Sequence, residues 1–320
     1  MEFYFAPLEG ITDLAYRTVH QKYFPGVYRY FMPFLSPTQN HYLTKKEQRE
    51  LPFADTLPCE SIPQILTKSI PDFLWAAECC KDRGYNEVNL NIGCPSGTVV
   101  SKGKGSGMLA NLQYLCCFLD EIFLKCPLKI SIKTRVGLEN PQEFPEILKL
   151  LNRYPLSELI IHPRVRKAFY NGNIELNAFR HAVEHSNHSL CYNGDITAEE
   201  DIALIKELFP TVSKIMVGRG LVANPGMLCG NPQKELLYAF HEELFDTYCS
   251  VFDNRQNAMC RMKEIWSLMI HHFGNSNPYE KKLKRTGDYE TFRSLCREVF
   301  TNLPLIPTEP SLLHYGESEL

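Results

Sequence analysis

The feature that most constrains this chain is a repeated alternation of short apolar runs and longer amphipathic stretches over its first two thirds. Eight runs read as strands: Phe3–Ala6, Val27–Met32, Pro63–Leu66, Glu87–Asn91, Lys129–Lys133, Leu159–His162, Leu190–Asn193 and Lys214–Val217. Several are rich in Val, Ile, Tyr or Phe, and each is bounded by turn residues. Helices are predicted between most of them. They are Asp13–Tyr23 behind Thr12 as a cap, Pro71–Arg83 ending before Gly84, Asn111–Lys125, Pro141–Arg153 and Ala198–Leu208. The last has Thr197 as N-cap and Glu200 as its capping-box partner. Such alternation predicts a parallel α/β fold, and a (β/α)8 TIM barrel of about 230 residues is the natural form. An open doubly wound sheet is the alternative. Its first turn would usually carry G-x-G-x-x-G, whereas Pro7-Leu8-Glu9-Gly10 follows the first strand here.

From about Gly230 the strand signals stop. Lys234–Phe252, Asn257–His272 and Tyr289–Phe300 read as helices, followed by a Pro-rich tail from Pro304 to Pro310. The expected organisation is a barrel over residues 1–232 and a small all-helical C-terminal domain over 233–320. The chain has 34 basic and 37 acidic residues, net −3, which excludes a histone-like binder but not a local basic face. Its 12 cysteines form no C-x-x-C pair and no Cys/His cluster at zinc spacing, so neither a metal site nor a disulfide framework is expected. Most thiols, Cys117 and Cys191 among them, read as small core fillers. The first ten residues lack the pattern of a signal peptide, and no run of about 18 apolar residues marks a membrane span. A cytoplasmic protein with reduced thiols and no membrane contact is therefore expected. No motif encodes oligomeric state, and a monomer is the default.

In a barrel of this kind the chemistry sits at the C-terminal ends of the strands. There the sequence places Ala6-Pro7, Gln64, Asn91 with Cys94, Lys133 with Arg135, His162 with Arg164, Asn193-Gly194-Asp195 and Gly218-Arg219-Gly220. Loops after the seventh and eighth strands often bind phosphate in this fold, and these two carry glycines and an arginine. Tight turns alone would also use glycine, so it is the coincidence of both loops that points to a phosphorylated cofactor. Cys94 lies in a long loop rich in Gly and Lys, not in an apolar run. A free thiol has a pKa of about 8.5, so at neutral pH it can donate a proton as well as attack.

These residues carry a family resemblance. Ala6-Pro7-Leu8-Glu9-Gly10-Ile11-Thr12-Asp13 resembles the opening of the bacterial tRNA-dihydrouridine synthases. Asn89-Leu90-Asn91-Ile92-Gly93-Cys94-Pro95 resembles their central signature. Lys133-Thr134-Arg135, His162-Pro163-Arg164, Asn193-Gly194-Asp195-Ile196 and Val217-Gly218-Arg219-Gly220 follow in the family's order, so the resemblance covers residues 3–300.

The resemblance implies a TIM barrel that binds FMN and a helical domain that helps hold tRNA. The implied reaction is reduction of the C5–C6 double bond of a uridine to dihydrouridine, with NADPH, or else NADH, as reductant. Cys94 matches the general acid that protonates carbon 5. Gln64 and Lys133 match flavin-ring contacts, and His162 a residue near the flavin ring and phosphate. Gly194, Gly218 and Arg219 match the phosphate cradle, while Ala6, Pro7, Leu8, Asn193 and Asp195 complete the cofactor set. Asn91 and Arg164 match residues facing the substrate base or its surroundings.

Three departures stand out. Pro163 replaces the family's usual Gly or Ala and removes a backbone N–H. Gln64-Ile65-Leu66-Thr67 lacks the usual glycine, and Asn224-Pro225-Gly226 lacks the usual Trp.

Between Arg261 and Arg285 stand Arg261, Lys263, Lys281, Lys282, Lys284 and Arg285 against Glu264 and Glu280, a local surplus of +4. With Trp266, Phe273 and Tyr279 interleaved, this stretch reads as an RNA-backbone face, and a solvated helix face is the alternative. Lys281, Lys282 and Arg285, with Lys102 near Cys94, are the expected tRNA contacts. Three other functions remain compatible with the residues. They are a small-molecule FMN reductase of the dihydroorotate-dehydrogenase or ene-reductase type, a synthase acting on ribosomal RNA, and a catalytically silent RNA binder. The helical tail speaks against the first and the intact Cys94, Lys133 and His162 against the last.

Overall fold

The computed structural model describes residues 1–230 and 232–312. Its strands are β1 (Glu2–Phe5), β2 (Arg29–Phe31), β3 (Ser61–Ile62), β4 (Gln64–Ile65), β5 (Glu87–Ile92), β6 (Lys129–Arg135), β7 (Leu159–His162), β8 (Leu190–Tyr192) and β9 (Lys214–Val217). All pair in parallel, in the order β3-β2-β1-β9-β8-β7-β6-β5-β4. The two ends of that order, β3 and β4, are consecutive in the chain, so the sheet returns on itself as a barrel. The predicted third strand, Pro63–Leu66, is thus replaced by two short ones around Pro63. Proline has no N–H for a ladder, and the pairing changes partner there, from β2 before it to β5 after it.

The helices differ from expectation mainly at their ends. The first runs Leu14–Tyr23, capped by Asp13 rather than Thr12, with Asp13 accepting from Tyr16 N–H at 3.1 Å. Ile70–Lys81 is capped by Ser69, and Leu112–Lys125 by Asn111. The helix predicted over Pro141–Arg153 is a 3-10 turn, Pro141–Glu143, leading into Phe144–Leu151. Glu199–Leu208 does not use the predicted Thr197/Glu200 box. Asp201 instead accepts from the N–H groups of Thr197 and Ala198 and from the Thr197 hydroxyl, at 2.8, 3.1 and 3.0 Å. Lys45–Glu50, Leu176–His185 and Asn277–Arg285 are helices that the sequence reading left out.

Side chains alternate across each strand, and this alternation builds the barrel interior in layers. Phe31, Ile160, Cys191 and Met216 form an apolar cluster with Tyr4, Ala6 and Ile62, separate from the main core. Two residues beyond Ile62, Ser131 and Ile160 stand Gln64, Lys133 and His162, at the mouth. The opposite phase of each strand meets the surrounding helices, so the sheet is buried on both faces.

Beyond the barrel, helices Lys234–Phe252, Arg255–Met269, Asn277–Arg285 and Tyr289–Asn302 pack as one group. They join the barrel through its first helix. The Phe240 ring lies 5.8 Å from Tyr16 and 5.3 Å from Phe24, and Tyr248 donates to Asp13 at 2.9 Å. One apolar core runs through both parts. Residues 313–320, the end of the predicted second domain, lie outside the described residues.

Of the cysteines, all free, only Cys80, Cys191 and Cys296 are buried. Cys117 is exposed, because its apolar neighbours lie on the other face of helix Leu112–Lys125. The expectation that most thiols fill the core is corrected accordingly. Among the described residues no helix is long and apolar enough to cross a membrane, and no three ligating side chains gather as a metal site.

Candidate active site

A cavity of about 640 Å³ opens at the C-terminal ends of the strands. Ala6, Pro7, Leu8, Gln64, Asn91, Cys94, Lys133, His162, Asn193, Gly194, Asp195, Gly218 and Arg219, all singled out in the sequence, line it. Ser267 and Leu268 reach it from the C-terminal helices. Arg164, Lys102, Lys281, Lys282 and Arg285 are not part of the wall.

Cys94 is held by its backbone. Asn91 Oδ1 accepts from the N–H groups of Gly93 and Cys94 at 3.0 and 2.9 Å. The Cys94 carbonyl accepts from Ser106 through both N–H and hydroxyl, at 3.1 and 2.8 Å. Gly105, at φ +58°, packs so closely that an added Cβ would meet the Cys94 carbonyl at 2.9 Å, so this position excludes a side chain on both counts. Burial pushes the Cys94 thiol pKa up, and the Ser96 backbone N–H with the neighbouring Arg135 and Lys133 only partly offset this. The half-buried thiol therefore keeps its proton at neutral pH.

Asn91 is fixed in turn. Its Nδ2 donates to Gln64 Oε1 at 2.8 Å, Gln64 Nε2 to Asn89 Oδ1 at 2.8 Å, and Asn89 Nδ2 to Ser131 Oγ at 2.9 Å. This buried amide chain ties β4, β5 and β6 to the Cys94 loop. A buried amide left unpaired costs about 1–3 kcal/mol, so the chain sets the orientation of both Gln64 and Asn91.

Lys133 opens into the same cavity, and burial together with Arg135 lowers its pKa to about 8. His162 is pushed well below its usual range by burial and by Arg135, Lys133, Arg164 and Arg219. It is a neutral imidazole. Arg164 Nη1 lies 3.3 Å from its Nε2, and a guanidinium can only donate, so Nε2 accepts and the proton sits on Nδ1.

Arg164 lies behind the cavity wall, against Asp195 and His162. It is 1% exposed, bonded in a fork to both oxygens of Asp195 and to the Gly172 carbonyl. It therefore faces Asp195 and not the cavity. Asp195 sits at φ +39° and also receives Arg219 at 3.0 Å, so one carboxylate orients the exposed cation at the rim. Asn193 donates its amide to the Met216 carbonyl at 2.8 Å, a tie between β8 and β9. Pro163, without an N–H, offers its carbonyl to Glu175 N–H at 2.7 Å.

Sequence reading missed Tyr170 and the placement of Arg135. Arg135 donates to the Gly93 and Val165 carbonyls, both at 3.0 Å. The exposed Tyr170 ring lies 5.3 Å from the Arg135 guanidinium and 5.1 Å from that of Arg219. The Phe169-Tyr170 pair ahead of Asn171-Gly172 was the available signal.

The predicted basic stretch divides in two. Arg261 is paired with Asp13 and Glu264, and Lys263 donates to the carbonyls of Lys284 and Thr286. Lys281, Lys282, Lys284 and Arg285 are exposed on helix Asn277–Arg285.

Comparison with known proteins agrees with this geometry. The chain is 25% identical over 271 residues to tRNA-dihydrouridine synthase B of Pasteurella multocida, covering 84% of this chain and 77% of that one. It is 26% identical over 221 residues to tRNA-dihydrouridine synthase B of Proteus vulgaris, covering 69% and 67%. Among solved structures, a morphinone reductase variant in complex with tetrahydroNAD superposes with TM-score 0.50 at 10% identity, over 71% of this chain and 85% of that one, a likeness of fold alone. The model of the dihydrouridine synthase (Dus) family matches residues 4–302, so the chain belongs to this family of flavin-dependent oxidoreductases.

Proposed function

We propose that this protein is a tRNA-dihydrouridine synthase that reduces the C5–C6 double bond of particular tRNA uridines. The observation that carries the reading is one cavity into which a protonated thiol, Cys94, and an ammonium, Lys133, both open, with Arg219 at its rim. The donor set suits FMN. Arg219 and the glycine-bearing turns at 194 and 218 would hold the phosphate, and Lys133, Gln64 and His162 the ring. Bound FMN, reduced by NADPH, supplies a hydride for carbon 6 of the uracil.

The chain's own residues do the rest. Cys94 transfers its thiol proton to carbon 5, completing the addition of one hydride and one proton across the double bond. The thiolate left behind regains its proton from solvent, which the raised thiol pKa favours. Lys133, on the cavity wall, would hold the ring and offer its positive charge to the negative charge that reduction of a flavin leaves. The Asn91 clamp on the Gly93 and Cys94 amides fixes the thiol's approach.

A uridine in folded tRNA has to leave its stack to reach such a cavity. Residues 1–232 would act as the catalytic barrel and 233–320 as the unit that holds tRNA. The exposed cations of helix Asn277–Arg285 support this over a small-molecule reductase. Purified protein should be yellow and release FMN on denaturation. Dihydrouridine mapped in tRNA should disappear at defined positions from a strain lacking the gene. Unchanged dihydrouridine in all RNA of that strain would overturn the reading.

A further inference from the structure

Most lysines that pair on this surface do so with a neighbouring carboxylate: Lys22, Lys46, Lys81, Lys125, Lys149, Lys167 and Lys214 each have a Glu within 4 Å. Among the described residues Lys68, Lys102 and Lys104 have no carboxylate within 4 Å, and they gather at one place. Lys68 precedes helix Ile70–Lys81, and the other two lie on the loop after β5. The loop is shaped to admit this crowding. Gly103 takes φ +68°, and a Cβ there would come within 3.4 Å of Lys68 Nζ. Lys104 Nζ is 3.5 Å from Ser36 Oγ. Burial pushes the Lys104 pKa down; the Asp72 carboxylate opposes this, and the ammonium groups of Lys102 and Lys68 add to it. The neighbouring carboxylate, Asp72, is taken up by His41 at 3.0 Å.

The cluster adjoins the thiol. Gly105, next to Lys104, packs on the Cys94 carbonyl, and Ser106 bonds to it. The three lysines are nonetheless outside the cavity wall. The exposed Tyr114 flanks them, its hydroxyl donating to the Lys68 carbonyl at 2.7 Å.

We propose that Lys68, Lys102 and Lys104 form a phosphate-binding rim that grips the strand carrying the extruded uridine, with Tyr114 at its edge. With Asp72 the one carboxylate that acts on Lys104, the three ammonium groups still leave a net positive cluster, and a polyanion relieves its repulsion. Their position beside Cys94 assigns them the phosphates adjoining the reacting nucleotide. Helix Asn277–Arg285, on the C-terminal unit, would take more distant phosphates. The proposal rests on the tRNA reading above.

The test is tRNA binding measured across a salt series for wild type, for Lys68→Gln/Lys102→Gln/Lys104→Gln, and for Lys281→Gln/Lys282→Gln/Arg285→Gln. Each single-strand phosphate contact contributes roughly 0.7 to the log–log salt slope. The rim variant should lower the slope by about 2 and weaken binding at least tenfold in ~0.1 M salt, with FMN affinity unchanged. Wild-type slope and affinity in the rim variant, with tRNA bound normally by wild type, would overturn the rim and leave the tRNA reading standing. Absence of tRNA binding by wild type would overturn both. If the triple variant fails to fold, Lys68→Gln alone, away from the Cys94 loop, should lower the slope by about 0.7, and an unchanged slope there counts equally against the proposal.

Discussion

The two ends of the barrel are built from the same residue types and use them oppositely. At the N-terminal end charges cancel. Glu158 accepts from Lys214 at 2.6 Å and from the Tyr4 hydroxyl at 3.2 Å, and Arg29 meets Glu60 at 3.0 Å and Glu87 at 3.6 Å. At the C-terminal end Lys133, Arg135, Arg164 and Arg219 crowd around His162, and Asp195 pairs with two of them. Cancelled charge is fold stability. Surplus charge of one sign, with Lys133, Arg135 and Arg219 on the cavity wall, adds to burial in keeping His162 neutral, and under the FMN reading it is what a phosphate would meet. This matches the division of labour in TIM barrels, with chemistry at one face and stability at the other.

The largest effect should come from the mouth. Cys94→Ala removes the proposed proton donor while leaving the amide clamp, which uses only the backbone of residue 94. Dihydrouridine formation should fall by about 10²- to 10⁴-fold, with FMN and tRNA affinities unchanged. Turnover at the wild-type rate would take Cys94 out of the chemistry and leave the mouth as a binding site only.

The other end should respond in stability. Lys214→Met leaves Glu158, 1% exposed, with Tyr4 as its remaining partner. Breaking a buried pair costs about 3–5 kcal/mol, and the partial exposure of Lys214 reduces that to roughly 2. Urea unfolding should show this loss, while FMN affinity stays constant. Adding Glu158→Gln should recover most of it, because no buried charge remains. A change in FMN affinity, or no loss of stability, would erase the distinction between the ends.

How much of this was legible follows the same division. The strands were readable because each has a buried apolar phase bounded by turn residues, even where, as in β5 and β6, polar side chains alternate with it. Cys94 and Lys133 were readable because a strand end in this fold is already a functional address. What escaped depended on contacts between distant positions. Arg164 and Asp195 are 31 residues apart, and nothing local marks them as partners. Leu176–His185 has only three buried residues and Asn277–Arg285 only Leu283, so their apolar faces are narrow and their composition reads as polar. Cys117 was misread because composition does not say which way a helix face points. The split at Pro63 was visible as a residue, but its effect depends on which neighbours the two halves pair with.

The smallest effect tests whether the surplus charge at the mouth is available to a ligand. Lys133 titrates near pH 8 because burial and Arg135 disfavour its ammonium. The sign follows from linkage. A bound anion favours the charged form and raises this pKa, so binding takes up a proton once pH exceeds the free value. FMN affinity should therefore be flat below pH 7 and decline as pH rises through about 8, by up to about tenfold at pH 9. Lys133→Met should bind more weakly at pH 7 and lose the decline. An equally steep decline in that variant would move the titration to another group and leave Lys133 without a part in holding the cofactor.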